Sequence, residues 1–325
     1  MLAARYTETG PADVLRVEEV DRPEPGAGEV RVRLRVAGVN PTDWKSRSGR
    51  SGGVPEAGFQ IPGQDGAGTI DAVGPGVDAS RVGERVWVWF AAWQRPWGTA
   101  AQWTVVPAER AVPLPDGASD ELGASLGIPA LTAHHCLTAD GPVAGRTVLV
   151  AGGAGAVGHA AIELARWMGA RVVATVSGEE KARLAEAAGA DAVVNYREPD
   201  AADRIRAAAP GGVDRIVEVA LAPNLELDLA VAAPNAVIAT YADDGGAEVA
   251  VPVRRLMVPN IALRFVLVYT VPQDALDRAV AGVSEAVAAG ALTPLPVHRY
   301  ELERAAEAHE AVEAGAVGKV VIDLP

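Results

Sequence analysis

The chain has 325 residues, of which 49% are hydrophobic and 22% charged, a balance typical of a globular protein of about two domains. Its 29 Lys and Arg against 42 Asp and Glu give a formal net charge of −13, which disfavours nucleic acids and anionic membranes as partners. The single cysteine, Cys136, excludes an intrachain disulfide, and no apolar run approaches the about 20 residues of a membrane span. We therefore expect a cytoplasmic protein.

Residues 1–124 predict a mostly β domain. Apolar and charged residues alternate over residues 30–36, which indicates a strand with one buried and one solvated face. Shorter runs follow at residues 68–73 and 85–89, bounded by glycines and prolines. Short strands between dense turn signals are typical of a Greek-key or barrel-like unit.

From residue 125 onward, short apolar strands alternate with helices. The predicted strands are residues 147–151, 171–176, 192–196, 214–219, 236–241 and 261–269. The helices predicted over residues 159–168 and 179–188 are each followed by a glycine, as a C-cap requires. Repeated strand–helix units predict an α/β domain with a doubly wound parallel sheet over residues 125–270.

The C-terminal residues resume the pattern of the first domain. A helix predicted over residues 302–314 precedes a strand at residues 318–324. We expect this strand to pair with the first domain, so that residues 271–325 complete it.

A glycine-rich run follows the strand at residues 147–151 and opens the next helix. Residues 153–158 read Gly-x-Gly-x-x-Gly, and this context is the one that a dinucleotide-binding fingerprint requires. Gly153 would allow the tight turn, Gly155 would let a pyrophosphate approach the backbone, and Gly158 would let helix and strand pack closely. The alternative is a glycine turn that joins any strand to any helix.

The residues after the second strand of this domain indicate which dinucleotide the site binds. A site for NAD usually carries an acid about 20 residues past the loop, bonded to the ribose 2′-hydroxyl. No acid stands at residues 174–177, whereas Ser177 offers a hydroxyl and Lys181 a positive charge one turn into the next helix. A 2′-phosphate needs such groups, so we predict NADPH. Lys181 could instead be a solvated lysine beside Glu179 and Glu180.

Several further motifs together resemble one family. They are residues 37–43 (AGVNPTD), 62–68 (PGQDGAG), 82–86 (VGERV), 127–133 (GIPALTA), the glycine loop, 189–191 (GAD) and 195–197 (NYR). The chain resembles the zeta-crystallin-like quinone oxidoreductases, the zinc-free branch of the medium-chain dehydrogenase/reductase superfamily. The likeness runs nearly from end to end.

The resemblance implies a GroES-like catalytic domain, a Rossmann domain and a set of site residues. Those implied to contact NADPH are Asn40, Thr132, Gly153, Ala154, Gly155, Ala156, Val157, Gly158, Ser177, Lys181, Tyr196, Ala220, Leu221, Thr240, Tyr241, Val266 and Leu267. Those expected to line the substrate site are Asp43, Trp44, Gln64, Trp89 and Trp93.

The chain departs from the family pattern near the substrate site. Many relatives carry a tyrosine where this chain has residues 47–51 without an aromatic ring, and Ala222 stands where some relatives have a binding asparagine. A tryptophan-rich stretch, residues 87–97, could offer flat faces to a planar substrate or could be strand core and surface loop.

The residues disfavour a zinc site. Gly63-Gln64-Asp65-Gly66 has an amide where the zinc-dependent branch has histidine, and one cysteine excludes a four-cysteine site. His134, His135 and Cys136 are successive on a helix and cannot converge on one ion. Without a Lewis acid, a conjugated carbonyl such as a quinone is the favoured hydride acceptor.

Asn40 is the candidate catalytic group, as a donor to the developing oxyanion, and no side chain stands out as an acid. Asp43 and Arg47 either act at the site or fix the loop through an ion pair. The alternatives are an enone, 2-alkenal or enoyl-thioester reductase on the same scaffold, and a non-enzymatic NADPH-binding protein. The long apolar strand at residues 261–269, if it lies at a sheet edge, predicts a homodimer.

Overall fold

A computed structural model describes residues 1–243 and 245–325, which form two compact units. One unit comprises Met1–Ile128 and Pro294–Pro325, and the other comprises Pro129–Thr293. No helix of the described residues is long and apolar enough to cross a membrane.

The elements of both units follow in chain order. They are β1 (Leu2–Arg5), β2 (Arg16–Glu19), β3 (Glu29–Val39), α1 (Pro41–Arg47), β4 (Asp65–Val73), β5 (Arg85–Val88), β6 (Trp103–Pro107), β7 (Ala111–Pro113), α2 (Asp120–Gly123), α3 (Leu131–Thr138), β8 (Thr147–Ala151), α4 (Ala156–Trp167), β9 (Arg171–Val176), α5 (Glu179–Ala187), β10 (Ala192–Asn195), α6 (Ala201–Ala208), β11 (Val213–Glu218), α7 (Leu221–Val231), β12 (Ala232–Thr240), α8 (Val253–Met257), β13 (Ala262–Phe265), α9 (Gln273–Ala288), β14 (Val297–Glu301), α10 (Ala305–Glu313) and β15 (Lys319–Asp323).

The first unit is built on a mostly antiparallel sheet. Its strand order is β14-β15-β3-β4-β5-β7, with β6 also paired to β3, and β1 pairs with β2 separately. The apolar residues of β3 enter the core, as the alternation predicts. Arg31 is buried on the charged face of β3, where Asp71 and Glu24 pair with its guanidinium. The predicted pairing of the C-terminal strand is confirmed, because β15 runs antiparallel to β3.

The second unit contains a wholly parallel sheet with the strand order β10-β9-β8-β11-β12-β13. This is the doubly wound order 3-2-1-4-5-6, in which the direction of winding reverses between β8 and β11. The predicted fold class is therefore confirmed. Because all strands are parallel, their carboxyl ends meet at one edge of the sheet.

The last strand of this sheet is shorter than predicted. β13 spans Ala262–Phe265, whereas the sequence predicted residues 261–269. Its partner β12 ends at Thr240, which pairs with Phe265, so the ladder stops there. The chain then enters a 3₁₀ turn at Val268–Thr270.

The chain passes from one unit to the other at residues 128/129 and 293/294, close to the predicted 124/125 but well beyond the predicted 270/271. The later return arises because α9 packs on α3 and α4 of the second unit. The contact is close: a Cβ on Gly282 of α9 would lie 2.3 Å from Nε2 of His134.

Candidate functional site

The glycine loop of the second unit joins β8 to α4. Its left-handed residue is Gly152 (φ +69°), so the tight turn lies one residue before the predicted Gly153. Gly153 instead allows close packing, since a Cβ there would lie 2.9 Å from the Cβ of Ala174 and 3.0 Å from Cδ1 of Ile162. The sequence motif starts at Gly153, and for that reason sequence reasoning missed Gly152.

The other two glycines of the loop differ in the space around them. A Cβ on Gly158 would lie 2.3 Å from the carbonyl oxygen of Gly152, which only glycine tolerates. A Cβ on Gly155 would meet nothing in the protein nearer than 3.4 Å. The fold therefore requires Gly158 but not Gly155, and Gly155 leaves an open surface above the backbone.

The first turn of α4 presents donors to this open surface. No side chain caps the helix at Gly155, and the first N–H groups of a helix have no acceptor within it. Ala154, Ala156 and Val157 add no charged group. Bare N–H groups at the positive end of a helix dipole suit a phosphate, so the loop fits a dinucleotide pyrophosphate.

A second set of polar residues lies at the ends of β9 and β10. Asn195 pairs with Val176 across these strands, and the N–H of Tyr196 donates to the Val176 carbonyl at 3.0 Å. Ser177 follows Val176, and Lys181 lies in the first turn of α5. Lys181 has no ion pair among the described residues. Exposed Arg197 follows Tyr196 at the same edge, and sequence reasoning passed over it.

The remaining predicted cofactor residues of this unit lie after the later strands, and Thr132 is buried in α3. Ala220 and Leu221 follow β11, Thr240 and Tyr241 end and follow β12, and Val266 and Leu267 follow β13.

A buried carboxylate fixes the turn after β11. Glu218 accepts hydrogen bonds from the backbone N–H of Ala220 and, at 2.9 Å, from Nδ2 of Asn224. Its other oxygen and one oxygen of the neighbouring Asp228 are buried without a hydrogen-bond partner among the described residues. Burial and the charge of Glu218 raise the pKa of Asp228 well above its usual value.

In the first unit, Asn40 lies in a buried polar network. Its Oδ1 accepts from Nζ of Lys319 at 2.7 Å, and its Nδ2 donates to Oδ2 of Asp65 at 2.7 Å. The other oxygen of Asp65 accepts from the N–H of Ile128 at 2.8 Å. Burial raises the pKa of Asp65 to about 6 and lowers that of Lys319. Both the oxygen and the nitrogen of the Asn40 amide therefore form hydrogen bonds, which leaves one N–H group of Nδ2 for a ligand.

Asp43 lies in the first turn of α1 and is almost fully buried. Its carboxylate accepts from the N–H of Asn40 at 2.7 Å and from that of Gly63 at 3.2 Å. Burial and, to a lesser extent, the charge of nearby Asp65 raise its pKa to about 7 despite these bonds. Arg47 forms its ion pair with Glu313, at 2.9 Å. Asp43 therefore fixes the start of α1 through the backbone.

Beside Asp43, the first unit contains a cavity of about 550 Å³. Its lining residues are Tyr6, Asp43, Ser46, Ser51, Gly52, Gly53, Pro55, Glu56, Ala57, Gln60, Pro62, Gln64, Ala92, Trp93, Gln94 and Pro96. Of the residues expected at the substrate, Asp43, Gln64 and Trp93 are among them. Tyr6 contributes an aromatic hydroxyl that sequence reasoning missed.

The other tryptophans expected at the substrate are not among the residues that line this cavity. Trp89 is buried with its ring edge-on to Phe90, 4.8 Å between centroids, and Arg110 stacks over it. Trp44 is buried under the guanidinium of Arg50. The tryptophan-rich stretch thus combines core residues with one ring, Trp93, at the cavity.

Among the described residues, no group of three or more His, Cys, Asp or Glu side chains is arranged to hold a metal ion. His134 packs against α9, and Cys136 is buried with its pKa raised to about 12 by burial.

Comparisons with known proteins agree with this architecture. Residues 26–116 match the family model described as alcohol dehydrogenase GroES-like domain, and residues 156–285 match the one described as zinc-binding dehydrogenase. The chain is 31% identical to a quinone oxidoreductase of Rattus norvegicus over 100% of this chain and 98% of the relative. It is 32% identical to a 2-haloacrylate reductase of Burkholderia sp, with 95% of each chain covered. A mycobacterial protein solved in complex with NADPH is 34% identical, with a TM-score of 0.85 over 99% and 100% of the chains.

The two loop glycines give a matched pair of variants. We expect Gly155→Ala to fold with an unchanged melting temperature but to bind dinucleotide at least tenfold more weakly, because its methyl group would occupy only the open surface. Gly158→Ala should lower the melting temperature strongly, since its methyl group would collide with the backbone of Gly152. Calorimetry and fluorescence titration measure both effects. Equal melting temperatures for the two variants would contradict this assignment.

Proposed function

The chain belongs to the quinone oxidoreductase family of the medium-chain dehydrogenase/reductase superfamily, and we propose that it reduces a neutral quinone or similar conjugated carbonyl with NADPH. Two features of the described residues carry this proposal: the second unit has an open glycine loop and a lysine without an ion pair, and the first unit has a cavity lined by aromatic side chains and no cation.

The residues of the second unit fit NADPH. The loop at residues 152–158 would hold the pyrophosphate, and Ser177, Lys181 and Tyr196 would surround the 2′-phosphate. The bound cofactor supplies the hydride. The Glu218–Asp228 pair would hold the Ala220 turn in place for the nicotinamide end, and Asn40 keeps one donor for the acceptor. We propose these roles for the individual residues.

The charge of the cavity favours a neutral acceptor. Its lining includes two acidic residues, exposed Glu56 and buried Asp43, which is partly ionised at neutral pH because its pKa is about 7, and no Lys, Arg or His among the described residues. A carboxylate or a coenzyme A thioester brings negative charges that these groups repel, with nothing in the lining to compensate. Quinones, 2-alkenals and enones carry no charge, so the cavity disfavours the enoyl-thioester alternative more than the enone one.

A panel of acceptors tests this function. With NADPH, we expect turnover of 1,4-benzoquinone and 9,10-phenanthrenequinone, and at least tenfold higher kcat/KM for 2-chloroacrylamide than for 2-chloroacrylate. The variant Glu56→Gln should narrow that ratio, because it removes one repelling charge and keeps the side-chain shape. Cofactor absorbance follows each reaction. Turnover of crotonyl-CoA or 2-chloroacrylate in preference to every neutral acceptor would contradict the proposal.

Lys181 tests the cofactor assignment. We expect Lys181→Ala to raise KM for NADPH about tenfold or more and to leave KM for NADH unchanged, since the ammonium group pairs only with the 2′-phosphate. Arg183→Ala is the matched control, because Arg183 is an exposed cation on the same helix. An equal loss in both variants would indicate a general effect of charge and would contradict a specific contact.

We also propose that the protein is a cytoplasmic homodimer. β13 pairs with β12 on one side only among the described residues, so it is an edge strand. Its last residue, Phe265, is 70% exposed, Leu267 just beyond the strand is 53% exposed, and α8 exposes Met257. Exposed apolar side chains beside an unpaired strand edge favour pairing with a second copy.

Light scattering tests the assembly. The wild type should have twice the 33.4 kDa mass of the chain at micromolar concentration, and Phe265→Asp should shift the mass towards one chain. Val82→Asp is the control, because Val82 is an exposed apolar residue of the other unit. A wild type that is monomeric at these concentrations would exclude the dimer.

A further inference from the structure

Two buried polar side chains that line the cavity of the first unit form no hydrogen bond with another described residue. They are the phenol of Tyr6 and the amide of Gln64, and both residues are more than nine-tenths buried. The Tyr6 hydroxyl and Nε2 of Gln64 are not sealed from solvent, so a ligand oxygen can replace water on them without breaking a bond within the protein. The pair therefore indicates where a ligand oxygen binds.

Tyr6 is held in the cavity by its backbone. Its N–H donates to the carbonyl of Gln60 at 3.0 Å, and its carbonyl accepts from the N–H of Gln60 at 2.9 Å. With both backbone groups committed, the side chain is what Tyr6 presents to the cavity. The hydroxyl is neither bonded to another described residue nor sealed from solvent. Burial and, to a lesser extent, the charge of Asp43 raise the pKa of Tyr6 to about 12, so the hydroxyl keeps its proton at neutral pH.

Only the nitrogen end of the Gln64 side-chain amide is open to solvent. Its Oε1 is sealed from solvent and accepts no hydrogen bond, whereas its Nε2 is not sealed. The backbone carbonyl of Gln64 accepts from the N–H of Ala91 at 3.1 Å, which fixes the residue at the end of the turn before β4. The N–H groups of Nε2 are thus available to a molecule in the cavity.

We propose that the Tyr6 hydroxyl and the Gln64 amide are the two donors that bind the carbonyl oxygen of the acceptor and stabilise the oxyanion that forms on it. This inference rests on the proposed function, since it assigns donors for the acceptor of that reaction. Asn40 keeps only one amide N–H, because Asp65 and Lys319 occupy the rest of its amide, whereas these two donors have no competing partner among the described residues.

The reduction of the acceptor needs no proton donor from the protein. Hydride adds to a carbon conjugated with the carbonyl and forms a C–H bond, while the carbonyl π electrons move to oxygen. The oxygen, now anionic, keeps its hydrogen bonds to Tyr6 and Gln64 and then takes a proton from solvent in the cavity. The acceptor has gained two electrons and two hydrogens, and NADPH has become NADP⁺. Donors aimed at a developing oxyanion lower the barrier to this step.

Tyr6→Phe and Gln64→Leu remove one donor each with little change in volume. We expect each to lower kcat/KM for 1,4-benzoquinone ten- to hundredfold, with an unchanged melting temperature and an unchanged dissociation constant for NADPH. Tyr300→Phe is the matched control, because Tyr300 lies on β14 against Arg304, outside the cavity lining. Full activity of Tyr6→Phe and Gln64→Leu would overturn the proposal.

A binding measurement tests the donors without turnover. The probe is 4-nitrophenol, whose absorbance reports its ionised fraction, titrated with the protein in the presence of NADP⁺. Two donors at its oxygen favour the phenolate, so the apparent pKa of the bound probe should rise by about one unit, or tenfold, in Tyr6→Phe and in Gln64→Leu. It should not change in Tyr300→Phe. A purely structural role for Tyr6 would lower the affinity without a change in this pKa.

The two measurements separate this inference from the proposed function. If the wild type binds NADPH but reduces no quinone or enone, the proposed function fails, whatever the probe shows. If the wild type reduces quinones and neither variant loses activity or alters the pKa of the probe, only the assignment of Tyr6 and Gln64 fails.

Discussion

The first unit depends on one charge, the carboxylate of Asp65, which has no exposed surface. It joins Asn40 at the end of β3, Ile128 far along the chain and, at 4.0 Å, the ammonium group of Lys319 on β15. A buried charge that loses its partner costs about 3–5 kcal/mol, a large part of the stability of a domain. These segments can therefore only pack in the arrangement that satisfies Asp65.

Two glycines allow the backbone to approach this carboxylate closely. A Cβ on Gly127 would lie 2.1 Å from Oδ1 of Asp65, and a Cβ on Gly38 would lie 2.0 Å from the carbonyl oxygen of Ala124. Glycine at both positions allows the backbone of residues 124–128 to approach β3 and β4 closely enough to donate to Asp65. The same network orients Asn40, the residue that begins α1, and so determines where Asp43 meets the cavity.

The sequence predicts features whose causes are local and misses those whose causes are distant. Thr147–Ala151 and Arg171–Val176 are strands over the residues predicted, because apolar runs and flanking glycines determine their ends. The length of β13 depends on where β12 ends, and the turn at Gly152 precedes the motif that identifies the loop. Tyr6 lies in the cavity only because it bridges to Gln60, 54 positions away, and no pattern near Tyr6 signals that contact.

The charges in the cavity and the proposed donors have opposite effects on an anion, and together they favour one class of acceptor. Glu56, together with Asp43 when it is ionised, repels negative charge in the cavity, so an anionic acceptor is disfavoured before any reaction. Tyr6 and Gln64 favour negative charge at one point only, the oxygen to which they donate. A neutral conjugated carbonyl meets no repulsion on binding and acquires its charge at that point. Since only interactions that strengthen towards the transition state accelerate a reaction, this arrangement would raise the rate for neutral acceptors rather than merely bind them.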